Sequence, residues 1–185
     1  MQSSKPTLDV WDSMCIIGLL NNEKDKLPAL LAQTRFFETG AAILGLPIAA
    51  LDEVETLIDG TPAEEKVREF LQNPYILPLH ANLEVSFKSK NLRYRFDNKN
   101  SPDLFDIAVA AGVPRDQAKK LGRKDSEILA AALYYKAERL TTYDPFLIFV
   151  GRHCLQAETG IIIGPPWPST MVFPENQDPP AKSQA

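Results

Sequence analysis

The chain has 185 residues, of which 44% are hydrophobic and 24% are charged, and its net charge is -4. These values suit one globular domain with a full core, and they exclude a strongly basic coat protein for nucleic acid, though not a local basic groove. Cys15 and Cys154 form no CxxC pair, so we expect both to be reduced and structural. The first eight residues lack a leader pattern and no segment reaches membrane length, so we expect a cytoplasmic protein.

The first structural unit is a short strand followed by a buried helix. Residues 7–11 form a β-like run, and the apolar residues 14–20 are long enough for a helix. Asp12 and Ser13 lie between the two, so Asp12 ends the strand. Asp9 lies within the strand itself.

The region that follows predicts a helical span, a second strand and an acidic helix. Residues 23–39 are mostly helical in pattern and are broken near their start by Pro28, whereas residues 46–49 form a candidate strand that Pro47 weakens. Residues 51–58 form a helix with one apolar face. Glu55 adjoins that face, and Asp52 and Glu53 are its neighbouring rivals; a solvated acidic surface is the alternative interpretation.

The middle of the chain predicts a third strand and helices around it. A helix begins near Pro62, residues 75–77 form a short strand, and residues 104–111 form a short helix that ends at Gly112. Residues 82–96 form an amphipathic helix whose outer face is basic.

A cluster of cations comes directly before a helix whose first turn carries an acid. The helix is alanine-rich, starts around Asp125 and stops near Ala137. The cations stand where phosphates would need a positively charged approach, although a solvated face is the plainer interpretation. The members of this cluster are Arg115, Lys119, Lys120, Arg123 and Lys124.

The last part of the body predicts two more strands. Residues 139–142 form a strand that delivers Asp144 just before Pro145, residues 146–154 form a helix, and residues 159–163 form a fifth strand buried on both faces. We therefore assign residues 1–163 to one domain and residues 164–185 to a proline-rich tail, either flexible or docked on the body through its apolar side chains.

The order of these features resembles the PIN domain nucleases. In that family an acid precedes an alanine-rich helix, and the next strand ends in Thr or Ser, any residue and Asp, which Thr142-Tyr143-Asp144 matches. The family also opens with a strand, an Asp and a Thr or Ser, which matches Asp12 and Ser13, whereas Asp9 stands one step too early. The resemblance implies a three-layer α/β fold with a central parallel five-stranded sheet in the order 3-2-1-4-5.

The resemblance also implies a set of site residues. It assigns catalysis and metal binding to Asp12, Glu55, Asp125 and Asp144, with Ser13 and Thr142 orienting them by hydrogen bonds. Carboxylates crowded in one crevice repel each other unless a cation neutralises them, and oxygen ligands without Cys or His suit Mg²⁺ or Mn²⁺. Lys119, Lys120, Arg123 and Lys124 would bind RNA phosphates.

The resemblance is greatest to stand-alone PIN domains of the VapC type, the toxins of type II toxin–antitoxin pairs. It implies a metal-dependent endoribonuclease, a protein antitoxin and a homodimer. Two other classes of protein have to be weighed against this one. A haloacid-dehalogenase-like phosphatase requires Asp, one residue and Asp, but two residues separate Asp9 from Asp12. The second is a PIN-like scaffold that binds a partner without catalysis.

Overall fold

The computed structural model describes residues 6–97, 100–101, 103–118 and 120–166. Its strands lie in one sheet, and its helices cover both faces. In chain order the elements are β1 Thr7–Trp11, α1 Ser13–Leu20, α2 Leu27–Glu38, β2 Ala42–Pro47, α3 Ile48–Ile58, α4 Ala63–Leu71, β3 Ile76–Leu79, α5 Leu83–Arg95, α6 Asp103–Ala110, α7 Arg123–Tyr134, β4 Arg139–Thr141, α8 Pro145–Val150, a π-helical turn Gly151–Leu155, α9 Gln156–Thr159 and β5 Ile162–Gly164.

The sheet has the order β3-β2-β1-β4-β5, and every pair of neighbouring strands is parallel. The predicted fold class and strand order are therefore confirmed. In such a sheet all the strands end at the same edge, and ligands bind outside that carboxyl edge where the strand order reverses. Here the reversal lies between β1 and β4, whose carboxyl ends carry Asp12 and Asp144.

The core lies on both faces of β1. Val10 and Trp11 are completely buried. Trp11 packs against the rings of Phe37 and Phe70, at centroid distances of 5.8 and 6.5 Å. Burial of such aromatic side chains is a large favourable term in folding, so the strand before Asp12 has little freedom to move.

The second and third strands have bounds that differ from the prediction. The second strand starts at Ala42 rather than Leu46, and Ile48 and Ala49 already belong to α3. The third strand includes Pro78, which is tolerated because β3 is an edge strand and one side needs no N–H donor.

The helices depart from the prediction at Pro28 and at the end of the body. Pro28 stands in the first turn of α2, where a missing N–H costs nothing, so it starts the helix instead of breaking it. The helix after Asp144 runs on to Thr159 through the π-helical turn, and β5 therefore begins later, at Ile162, and includes Gly164. A side chain at Gly151 would collide with Ile163, so this glycine allows the helix to lie directly on β5.

Both cysteines are free thiols, as predicted. Within the described ranges, no helix combines the length and the apolar character that crossing a bilayer requires. The predicted tail lies almost wholly outside the described residues, which end at Pro166.

Candidate active site

Asp12 lies at the carboxyl end of β1 and is only 4% exposed. Its carboxylate accepts hydrogen bonds from the backbone N–H of Met14, which caps α1, and from the hydroxyl of Thr142. Burial raises its pKa to about 6, against the effect of these hydrogen bonds, and the nearby charges of Asp144 and Asp125 raise it further. The carboxylate is thus close to three groups expected at the site.

Asp144 lies just beyond the end of β4, beside β1. Its Oδ1 accepts hydrogen bonds from the N–H groups of Phe146 and Leu147, at 2.7 and 2.9 Å, and so caps α8. The hydroxyl of Thr142 accepts a hydrogen bond from the Asp144 backbone N–H at 3.0 Å while donating to Asp12. This one buried hydroxyl joins the two strand ends.

Asp125 stands in the first turn of α7, the helix that packs behind the sheet. Its Oδ2 accepts a hydrogen bond of 3.2 Å from the backbone N–H of Gly122, just before the helix. The adjacent Lys124 pairs with Asp52 of α3, the helix whose Glu53 is hydrogen-bonded to Ser13 beside Asp12, and the charge of Asp125 raises the pKa of Asp12. The structure thus joins Asp12 and Asp144 through Thr142, and it places Asp125 at the start of a neighbouring helix.

Glu53, rather than Glu55, is the glutamate of α3 that reaches this edge. The Ser13 hydroxyl donates a hydrogen bond of 2.7 Å to Oε2 of Glu53, and Glu53 is half-buried. Glu55 is exposed. The two glutamates lie on opposite sides of the buried Val54, because successive helical residues are rotated by about 100°. Sequence reasoning named Glu53 only as a rival to Glu55, and α3's contact with α1 was the missing signal.

Asp9 belongs to a separate buried network on the other face of the sheet. It accepts hydrogen bonds from Thr141 Oγ1 at 2.9 Å and from Gln33 Nε2 at 3.0 Å. Burial raises its pKa to about 7, although the Thr141 hydrogen bond and the charge of Arg139 oppose the shift. The side chains that face it are those of Gln33, Thr141 and Arg139, with the Cys15 thiol on the Thr141 carbonyl.

The predicted RNA-binding cations lie at the start of α7, next to Asp125. Arg123 is 2.8 Å from Glu127, and Lys124 is 3.4 Å from Asp52 on α3. These pairs are exposed to solvent, where ion pairs contribute little and phosphates can compete for the cation. Lys120 lies in the loop before the helix, and Lys119 lies outside the described residues.

The donor chemistry of the site suits a hard divalent cation. Its side-chain donors are carboxylate and hydroxyl oxygens. Across the described ranges, no three His, Cys, Asp or Glu side chains are grouped closely enough to enclose an ion unaided. Mg²⁺, however, is commonly held by one or two carboxylates, several waters and substrate phosphates. The residues that could hold it in this way are Asp12 and Asp144.

No family profile and no curated protein matches the chain. Its fold is similar to the crystal structure of VapBC2 from Rickettsia felis bound to a DNA fragment from their promoter. The TM-score is 0.55 at 13% identity, with 84% of this chain and 96% of the other covered. A weaker similarity joins it to VapC20 from Mycobacterium tuberculosis, described as a Sarcin-Ricin loop cleaving toxin, with a TM-score of 0.45, 14% identity and coverage of 74% and 89%. The first likeness establishes a shared PIN-like fold, whereas the second is too distant to add to it.

Proposed function

We propose that this chain is a divalent-metal-dependent endoribonuclease and the toxin of a type II toxin–antitoxin pair. The observation that carries the proposal is the junction of Asp12 and Asp144 through the Thr142 hydroxyl, at the edge of the sheet where α/β proteins bind ligands. The fold shared with the Rickettsia felis VapBC2 structure supports the toxin assignment.

Asp12 and Asp144 would hold the metal ion, and Asp125 and Glu53 would be the further acids of the same crevice. A bound Mg²⁺ or Mn²⁺ would activate a water nucleophile and stabilise the charge that develops on the phosphate oxygens. Thr142 fixes Asp12, and Ser13 fixes Glu53, so each carboxylate is held in one orientation. A carboxylate that is not bound to the ion would accept the proton of the attacking water.

The substrate would reach the site across a positively charged surface. Lys120, Arg123 and Lys124 stand directly before Asp125, and their charge would offset the repulsion between RNA phosphates and the acids. The cations thus favour a polyanionic substrate, either single-stranded or structured RNA.

The antitoxin would be a peptide with apolar side chains. An apolar groove of about 460 Å³ lies between α1 and α3, the helices that follow β1 and β2, and it continues to the start of α4. Ile17, Leu20, Val54 and Leu57 are among its lining residues. A peptide anchored there could place an Arg or Lys on the carboxylates and occupy the space of the metal ion. The homodimer implied by the resemblance stays a prediction.

A non-catalytic scaffold is the second candidate, and one observation favours it. Asp12, Asp125 and Asp144 each accept backbone hydrogen bonds at the start of a helix, a structural role that needs no metal. Under this alternative the acids only stabilise α1, α7 and α8.

Cleavage of labelled RNA separates the two candidates. The purified chain should cut RNA with Mg²⁺ or Mn²⁺, should fail to do so with chelator, and should arrest growth when expressed alone. The Asp144→Asn variant should not cut RNA with either ion and should not arrest growth. If the wild-type chain leaves every RNA intact with either ion, and its expression is harmless, the scaffold is correct.

A further inference from the structure

Helix α5 has two apolar faces, of which the fold uses one. Val85, Ser89, Leu92 and the adjoining Phe96 are buried at helical spacing, and Ser89 Oγ lies 2.9 Å from Ser126 Oγ of α7. On the opposite side, Leu83, Phe87 and Tyr94 are 71%, 58% and 70% exposed. We call Leu83, Phe87, Lys90 and Tyr94, spaced four, three and four residues apart, the α5 ridge.

The helix that carries the α5 ridge is strongly positive, although the whole chain carries a net charge of -4. The helix holds four cations, Lys88, Lys90, Arg93 and Arg95, and one acid, Glu84. Arg95 pairs with Glu158 at 2.6 Å. Within the described ranges, Lys88, Lys90 and Arg93 form no salt bridge, so their charge is available to a partner.

This combination identifies the chemical class of the partner. Exposed aromatic rings beside cations bind single-stranded nucleic acid, since bases stack on the rings and phosphates pair with the cations. Phe87 and Tyr94 lie two helical turns apart, or roughly 10 Å along the axis, so they would contact different bases. A second copy docked ridge to ridge about a two-fold axis fits poorly, because it would bring Lys88, Lys90 and Arg93 close to their own equivalents.

The α5 ridge begins at the edge of the sheet that carries the acids. Leu83 follows β3 with Asn82 as the capping residue, so the helix starts at the carboxyl edge and runs away from it. It packs along α7, whose first turn contains Asp125. A strand leaving the site past α7 would therefore pass onto Leu83 first.

We propose that the α5 ridge binds single-stranded RNA beyond the cleaved bond. The path of the strand from the cleavage site to the ridge rests on the proposed nuclease function, whereas the binding itself does not. The ridge would add affinity for long strands and none for strands that fill only the cleavage site. Phe87 and Tyr94 would supply stacking, and Lys90 and Arg93 would bind phosphates.

Fluorescence anisotropy in chelator tests binding without cleavage, using unstructured labelled RNAs of about 5 and about 20 nucleotides, which bracket known single-strand sites. The double variant Phe87→Ala and Tyr94→Ala should bind the long RNA at least about tenfold more weakly and leave the short RNA within about twofold. The ring-retaining pair Phe87→Tyr and Tyr94→Phe should bind both RNAs normally.

Charge and surface controls complete the experiment. Lys90→Ala with Arg93→Ala should lower the slope of log affinity against log salt by about 0.7 for each phosphate that is no longer bound, whereas Lys66→Ala on α4 and Leu31→Ala on α2 should change nothing. Thermal unfolding of every variant checks the fold.

Unchanged binding of the long RNA, or equal weakening for both lengths, would overturn the inference. So would a variant that binds RNA normally but sediments differently or loses a copurifying acidic protein, since the ridge would then be a protein interface. If the wild type cleaves no RNA and ridge-dependent binding persists, the proposed function fails and this inference stands. If the wild type cleaves the short RNA but the ridge variants bind the long RNA as wild type does, the proposed function stands and this inference fails.

Discussion

The hydroxyl of Ser13 lies 2.7 Å from Oε2 of Glu53, so the first turn of α1 is tied to α3 beside the buried Asp12. This contact makes Glu53, not Glu55, the glutamate that faces the proposed site. If Glu53 takes part in catalysis, replacing it should lower the rate of RNA cleavage, whereas replacing the exposed Glu55 should not.

We expect Glu53→Gln to lower RNA cleavage by about 10- to 100-fold, the usual effect of removing a partner that orients a metal site. Glu55→Gln should remain within about twofold of wild type, and it is the matched control because it lies on the same helix. Initial rates at saturating Mg²⁺ measure both. A large decrease in Glu55→Gln with normal activity in Glu53→Gln would restore the assignment made from sequence.

The metal assignment is tested by Asp12→Asn and Asp144→Asn. Both should lower cleavage by more than about 100-fold, because each removes a carboxylate expected to hold the ion. Mg²⁺ should raise the Tm of wild type and have little effect on Asp12→Asn, since a ligand that binds only the folded state stabilises it. Asp106→Asn on α6 is the control for an exposed acid.

Asp12→Asn should also leave the metal-free protein as stable as wild type or more so. Burial and the charges of Asp144 and Asp125 disfavour the ionised Asp12 carboxylate, and the neutral Asn removes that cost. Each kcal/mol gained would raise the Tm by roughly 2–4 °C in a chain of this size. A marked drop in Tm would show that the carboxylate is chiefly a structural cap.

The local patterns of the chain predicted β1, α7 and the positions of Asp12, Asp125 and Asp144 at element ends, because each acid lies next to an element with clear periodicity. Their role as site residues stays a prediction. The same patterns place β2 wrongly because a proline inside an apolar run indicates a weak strand, whereas Pro47 ends the strand and leads into α3. The choice between Glu53 and Glu55 depends on which side of Val54 faces α1. Periodicity predicts that Val54 is buried, but it does not predict which of the two flanking glutamates faces α1. Only the packing of α1 against α3 decides between them.

The Thr142 hydroxyl is expected to matter through the position of Asp12. Thr142→Val keeps the shape of the side chain but removes the donor to Asp12 and the acceptor for the Asp144 N–H. We expect about 10- to 100-fold slower cleavage and a decrease in stability on the order of 1–3 kcal/mol. Thr142→Ser should recover most of the activity. Equal activity in the Val and Ser variants would contradict this role.

The cations at the start of α7 should bind RNA phosphates. Replacing Lys119, Lys120, Arg123 and Lys124 with Ala should weaken RNA binding and reduce its salt dependence by about 0.7 in the log–log slope for each phosphate that these cations neutralise. Unlike substitutions on the α5 ridge, this change should affect short and long strands alike, because the cations adjoin Asp125. Lys24→Ala is the control, and an unchanged slope would leave the cluster as a solvated surface.

Asp9 lies in a buried network that is separate from the acids of the proposed site. Its pKa is raised from 3.8 to about 7 in the folded protein, chiefly by burial, so the folded state binds the proton more tightly than the unfolded chain does. The resulting stability is full below the unfolded pKa and is lost as the pH rises through the folded one. The contribution of Asp9 to the stability of wild type should therefore decline between about pH 4 and pH 7.

Asp9→Asn should flatten that part of the pH profile. Buried Gln33 Oε1 has no hydrogen-bond partner among the described residues, so rotation of the Gln33 amide would let it accept from the Asn amide while Thr141 still donates to the Asn oxygen. The variant should be at least as stable as wild type at pH 8 and less stable relative to it at pH 4, where wild-type Asp9 is neutral.

Asp12 titrates in the same direction in both proteins, so the difference between their urea unfolding free energies isolates Asp9. Parallel pH profiles would show that Asp9 stays ionised in the fold, held by Arg139 and Thr141. RNA cleavage by Asp9→Asn should remain near that of wild type, because Asp9 lies on the far face of β1 from Asp12.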